Sequence, residues 1–83
     1  MAIRTIYHFL ALTGGGATAL DSVNGAALRD NDIAHVLYGG TFYVYLLDAD
    51  SGLAEDSPQV ISPDSNPGDK RWILISTYLQ ELS

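Results

Sequence analysis

The densest group of chemically active side chains is an acidic segment, residues 48–56, which holds four carboxylates and one glycine. Carboxylate oxygens at alternate positions are typical calcium ligands. An EF-hand loop counted from Asp48 would need an oxygen ligand at Gly52 and a bidentate Glu at Gln59, so the pattern fails. The segment is predicted to be a solvated loop, and no metal ligand is assigned.

The two histidines, His8 and His35, lie in apolar stretches. Zinc usually takes three or four protein ligands, and no third His or carboxylate has ligand spacing to either residue. We interpret both as packed or interface residues. The chain has no Cys, which excludes disulfides, thiolate metal sites and Cys nucleophiles.

The small polar residues show no catalytic arrangement. Gly14-Gly15-Gly16 is followed neither by Lys-Ser/Thr nor by a G-x-G-x-x-G pattern, so it is not a phosphate-binding loop. The serines lack the setting of a nucleophile elbow, and no segment brings together a base and a nucleophile. The sequence therefore predicts no enzyme, no catalytic residue and no cofactor.

The charge balance is acidic, with ten Asp and Glu against four Lys and Arg and a net charge of -6. Without a basic patch, neither nucleic acid nor an anionic membrane is expected as a partner. No apolar run approaches the ~18 residues of a membrane span. The stretch up to Leu12 contains only Arg4 as a charged residue and is not expected to be a signal peptide.

The clearest element is a hairpin. Gly39-Gly40 is a two-residue connection between predicted strands 33–38 and 41–47. Successive strand residues point to opposite faces, yet both faces of the second strand are apolar. One face carries Phe42, Val44 and Leu46, and the other carries Tyr43, Tyr45 and Leu47. This strand needs cover on both sides, and a second copy of the chain is the expected source.

The segments before the hairpin are weaker signals. Residues 2–12 are rich in β-branched and aromatic side chains, which favours a strand over a helix. Thr18 to Asp21 has the spacing of a capping box, and Asn24-Gly25 is an αL-tolerant end. This segment predicts one helical turn, or an irregular loop pinned by Leu20 and Val23. Asp30-Asn31-Asp32 is predicted to be a turn.

After the hairpin, residues 58–63 have proline at both ends and predict a short edge strand. Pro67-Gly68 predicts a turn. Residues 71–76 predict a strand with Trp72, Leu74 and Ser76 on one face, and Trp72 as a core anchor. Residues 78–83 are expected to be a tail that lies against a neighbouring subunit or the particle.

These elements predict a single domain, residues 1–83, of the mainly β class. We expect a small antiparallel domain, sandwich- or barrel-like, completed by homotrimer packing, because a chain of this size buries a limited share of its surface. The candidates for the core or the subunit interface are aromatic and aliphatic strand residues: Tyr7, Phe9, Phe42, Tyr43, Val44, Tyr45, Leu47, Trp72, Leu74 and Tyr78.

Three stretches carry a resemblance to a known module: Gly40 to Tyr45, Ser57 to Asp64, and Gly68 with Arg71-Trp72. Upstream, Leu12 to Asp21 and the turn at residues 30–32 are similar to the opening of the same module. Taken together, they resemble a small β-rich module of bacteriophage tail fibres, tailspikes and related virion structural proteins.

The resemblance implies a non-enzymatic homotrimeric building block of a tail appendage, made in the host cytoplasm and placed in the virion beside other virion proteins. Appendage proteins are usually long, so a chain of 83 residues also suggests a capsid decoration protein on the phage head. From a different class, the tyrosines suggest a carbohydrate-binding module with a host glycan as partner, since aromatic rings stack on sugars.

Overall fold

The computed structural model describes residues 6–14 and 16–79, so residues 2–5 of the predicted first strand and residues 80–83 of the predicted tail lie outside it. Within this part the chain forms β strands joined by turns and loops: β1 Ile6–Phe9, β2 Ile33–Tyr38, β3 Thr41–Asp48, β4 Val60–Ile61 and β5 Arg71–Leu79. The mainly β class is confirmed.

The strands form a mixed sheet in the order β1-β2-β3-β5-β4. The β2–β3, β3–β5 and β5–β4 pairs are antiparallel, whereas β1 is parallel to β2. The parallel pair departs from the antiparallel prediction. Its cause is the long connection 10–32, which returns the chain to the end of the sheet where β1 begins, as parallel pairing requires.

The predicted hairpin is confirmed, with Tyr38 paired to Thr41 across the turn. Gly39 and Gly40 have φ of 61° and 80°, the left-handed conformations that a type I′ turn requires. The twist of this turn matches that of the flanking strands, and β3 continues to Asp48.

A β-bulge interrupts the pairing of β3 with β5. Tyr45 lies opposite Leu74 and Val44 lies opposite Ser76, so Ile75 is an extra residue on β5. The predicted alternation is wrong beyond the bulge, because Ser76 lies on the opposite face of the sheet from Trp72. The strand β5 is also longer than predicted. Tyr78 pairs with Phe42 in the sheet and does not belong to a separate tail.

One face of the sheet carries the hydrophobic core. Residues 10–32 cross this face, and Leu12, Leu20 and Leu28 are buried against it. A layer of loop and 3-10 turns thus stands where a sandwich would have its second sheet. The buried core residues are Leu12, Leu20, Leu28, Ala34, Val36, Tyr45, Leu47, Ile61 and Trp72.

Two 3-10 turns, Leu20–Ser22 and Gly25–Ala27, shape this layer. The predicted capping box does not form, since the first turn follows Ala19 and has no side-chain cap. The Asp21 carboxylate instead accepts the Gly14 N–H at 3.2 Å. Asn24 has φ of -64°, so it does not end the first turn in the αL region as predicted. Its side chain instead caps the second turn.

The remaining turns follow the predictions. Asn31 has φ of 73° in the turn before β2, and β4 is a short strand at the sheet edge. The acidic segment is a loop held to the sheet by Arg71, whose guanidinium donates to the Leu53 carbonyl at 2.7 Å and the Gly68 carbonyl at 2.9 Å.

Candidate functional site: an uncovered sheet face

The face of the sheet opposite the core is built from three rows of side chains that run across the strands. The first row is aliphatic, because directly paired strand residues point the same way. We call it the aliphatic row; its members are Ile6, Ile33, Leu46, Ile73 and Val60.

The second row lies next to the first and is polar in part. We call it the histidine row; its members are His8, His35, Val44 and Ser76. The His8 and His35 rings meet edge to face with centroids 5.3 Å apart, and the His35 ring lies 5.2 Å from that of Phe42. The predicted packed or interface histidines are therefore neighbours on one surface.

The third row, the aromatic row, comprises Leu37, Phe42 and Tyr78. The rings of Phe42 and Tyr78 are 6.2 Å apart. Ile75, the extra residue of the bulge, lies beside Leu46 and Ile73 on the same surface. The three rows together with Ile75 form what we call the open face.

Accessibility separates the open face sharply from the core face. Four of its apolar members are exposed by 40–59%, namely Ile6, Leu37, Ile75 and Tyr78. The other members of the three rows are half-buried or exposed. On the opposite side, by contrast, Val36, Tyr45 and Trp72 are completely buried. The open face is thus a mostly apolar surface, crossed by His8, His35 and Ser76, that is in contact with solvent in the isolated chain.

Charged groups lie at the margin of this surface. Asp48 and Arg71 face each other at one end of β3 and β5, beyond the aliphatic row. Asp30 and Asn31 line an open depression at the same end together with Leu46 and Ile73. The described Asp and Glu side chains all lie outside the three rows, so the carboxylates of this surface are confined to its rim, as charged groups are in protein interfaces.

The candidates chosen from the sequence divide between the two faces. Those on the open face are Phe42, Val44 and Tyr78. Those that lie in the core or pack against it are Tyr7, Phe9, Tyr43, Tyr45, Leu47, Trp72 and Leu74. Open-face residues that were not among the candidates are Ile6, Ile33, Leu37, Leu46, Val60, Ile73 and Ile75, and alternation along each strand could have placed most of them.

Of the five tyrosines proposed as a sugar-stacking platform, Tyr45 is buried, Tyr7 and Tyr43 are half-buried, and Tyr38 and Tyr78 are exposed. Tyr45 is fully buried and its hydroxyl donates to the Pro58 carbonyl at 2.6 Å. Burial, with a smaller contribution from neighbouring Tyr43, raises the pKa of this hydroxyl above its usual value. Tyr43 packs against the core with its ring 6.3 Å from that of Tyr45. Tyr45 therefore presents no face to a sugar ring.

Residues 6–14 and 16–79 contain no group of three or more His, Cys, Asp or Glu able to hold a metal ion. In the same part of the chain, no helix has both the length and the apolar character needed to cross a membrane.

No family model matches the chain, and comparison with curated proteins and with solved structures likewise gives no match.

Proposed function

We propose that the chain is a non-enzymatic structural subunit of a bacteriophage virion, a tail-appendage building block that assembles as a homotrimer through the open face. The observation that carries the proposal is the open face itself, a mostly apolar surface without cover. The resemblance to virion modules supplies the kind of particle and the threefold assembly.

A second copy of the chain is the occupant that fits this surface best. The core face is already covered by residues 10–32, so the open face is the sheet surface left for contact. The chain carries a net charge of -6, while the described carboxylates stay off the three rows. Identical subunits can therefore bring their apolar centres together and keep their negative charges at the rim.

The size of the surface agrees with this role. The five strands are two to nine residues long. At ~3.3 Å per residue and ~4.8 Å between strands, their combined projected area is roughly 500 Å². A face-to-face pair would bury about 1,000 Å², the lower limit for a specific interface. Three faces turned toward one axis would bury about 1,500 Å² in total, within the range of stable complexes.

Sedimentation equilibrium of the purified chain at micromolar concentration tests the assembly. The wild type should sediment with three times the chain mass. The variant Ile75→Ser/Tyr78→Ser should shift toward monomer, because it removes two exposed apolar side chains from the open face. Leu53→Ser is the matched control, since Leu53 is equally exposed but lies in the acidic loop, and it should remain trimeric. A folded monomer at every concentration would contradict the proposal.

The location in the particle needs a separate measurement. Antibodies against the purified chain should label intact virions by electron microscopy, at the tail if the chain is an appendage subunit. Labelling confined to the head would instead favour the capsid-decoration role, and particles without label would contradict both.

A further inference from the structure

The histidine row runs across the middle of the open face, between the aliphatic row and the aromatic row. It brings two imidazoles into contact at the position that an assembled neighbour would cover. Histidine is the side chain whose charge ordinarily changes between pH 5 and 8. We propose that protonation of His8 and His35 weakens self-association through the open face, so that mildly acidic pH releases the subunits. This inference rests on the proposed assembly.

Neutral imidazoles suit a covered apolar surface. The two rings already pack edge to face, and His35 also contacts Phe42 of the aromatic row. A neighbouring subunit placed over them would bury rings of modest polarity. Above pH 7 the histidine row is therefore compatible with assembly.

Protonated imidazoles oppose the same contact for two reasons. Burial in an apolar interface disfavours a charged group that has no opposite charge beside it. In addition, two positive rings at a centroid distance of 5.3 Å repel each other. Both effects are strongest when the neighbour excludes water, so they destabilise the assembly more than the free subunit.

The charged and titratable groups around the pair do not offset this cost. On β3 the nearest carboxylate of the same face is Asp48, beyond the aliphatic row at the strand end, and it faces Arg71 of β5 there. Tyr78 of β5, in the aromatic row, is a phenol and stays neutral between pH 5 and 8. In the described part of the chain, β1 contains no charged residue apart from His8 itself, and β4 contains none.

The direction of the effect distinguishes it from general electrostatics. Protonating both histidines changes the formal net charge from -6 to -4, because the chain has two His. Reduced net charge lowers the repulsion between subunits and by itself would tighten assembly in acid. Loss of assembly on acidification therefore reports the histidine row rather than the overall charge.

Sedimentation equilibrium at pH 7.5 and pH 5.5, at equal ionic strength, tests the inference. Each imidazole that must lose its proton to enter the interface weakens association as the pH falls, by up to about tenfold per pH unit. The concentration at half dissociation should rise at least tenfold in the wild type. In His8→Gln/His35→Gln it should change by less than about twofold. Far-UV circular dichroism at both pH values checks that the subunit stays folded.

The single variant His8→Gln, at the edge strand β1, provides a second test with little risk to the fold, and should retain part of the pH dependence. Wild-type assembly that is equally tight or tighter at pH 5.5 would overturn the role of the histidines while leaving the proposed assembly intact. A wild type that stays monomeric at both pH values would overturn both proposals.

Discussion

Tyr45 illustrates how a side chain with a polar atom is accommodated on the buried side of a two-faced strand. Its ring lies in the core, and its hydroxyl meets the Pro58 carbonyl at 2.6 Å in the loop before β4. A buried hydroxyl without a partner would cost about 1–3 kcal/mol. The hydrogen bond removes that cost, and the strand β3 turns Tyr45 inward while Val44 and Phe42 face outward.

The raised pKa of Tyr45 predicts alkaline instability. A group whose pKa is higher in the folded state stabilises the fold fully below its unfolded pKa of about 10 and loses that contribution as the pH rises further. Urea unfolding at pH 8 and above pH 10 should show a fall of up to about 1.4 kcal/mol per pH unit from this group.

Tyr45→Phe should flatten this alkaline slope and also lower stability at neutral pH by about 0.5–1.5 kcal/mol, the contribution of a typical hydrogen bond. Tyr38→Phe is the control, because Tyr38 is 52% exposed, and it should keep the wild-type slope. Equal slopes in the wild type and Tyr45→Phe would show that the Tyr45 hydroxyl does not couple to folding. Tyr7, whose pKa burial also raises, accounts for any residual slope.

Gly25 is the residue where the covering layer meets the turn before β5. Its N–H donates to the Ser65 carbonyl at 2.7 Å, and its own carbonyl accepts from the Lys70 ammonium at 2.7 Å. A Cβ at this position would collide with the backbone carbonyl of Asn66. Gly25 therefore permits two backbone segments to approach more closely than any other residue would allow.

Gly25→Ala should destabilise the protein by about 1–3 kcal/mol, because backbone segments must move apart to admit the methyl group. Gly16→Ala is the matched control: a Cβ there meets open space, so its effect should stay within about 0.5 kcal/mol. Chemical denaturation of both variants measures the difference, and equal free energies of unfolding would refute the close approach.

At the scale of elements, the β2–β3 turn is the part whose geometry followed most directly from residue types. Gly40 adopts φ of 80°, which costs a residue with a side chain about 1–2 kcal/mol. Gly40→Val should therefore lower the free energy of unfolding by about this amount, whereas Gly39→Asn should be tolerated because Asn is accepted in type I′ turns. A thermal midpoint unchanged in Gly40→Val would argue against this turn type.

Local patterns predicted the hairpin, the turn at Asn31 and the short edge strand, because each depends on a few neighbouring residues. The parallel partner of β1 could not be predicted, because nothing in Ile6–Phe9 indicates that it pairs with a strand on the far side of residues 10–32. The bulge at Ile75 was equally hidden, as the alternation of residues 71–76 looks regular without it.

The candidate site was predictable in kind and only partly in detail. The two apolar faces of Thr41 to Leu47 indicated that one side would need an external partner. Which side remained open depended on residues 10–32, whose irregular path over the core face has no periodic signal. The histidine row likewise required the parallel register of β1 and β2, which places His8 beside His35.

The whole molecule combines a net negative charge with one uncovered face that is mostly apolar. If association stabilises the fold, the thermal midpoint must depend on protein concentration. For a domain of this size, we expect a rise of about 4–6 °C per tenfold increase in concentration. Calorimetry should show this rise in the wild type and in Leu53→Ser, and its loss in Ile75→Ser/Tyr78→Ser. A midpoint independent of concentration in the wild type would indicate that folding and assembly are uncoupled.

The position of β1 has a consequence for the order of folding. This strand is four residues long, lies at the sheet edge and joins β2 only after residues 10–32 have closed a loop. Contacts of this kind form late and open first. Amide hydrogen exchange should therefore be fastest, within the sheet, at β1 and along the edge of β2 that pairs with it, and uniform protection across β1, β2 and β3 would contradict this. Because β1 supplies Ile6 and His8, its opening would remove two residues from the contact surface while β2, β3 and β5 stay paired.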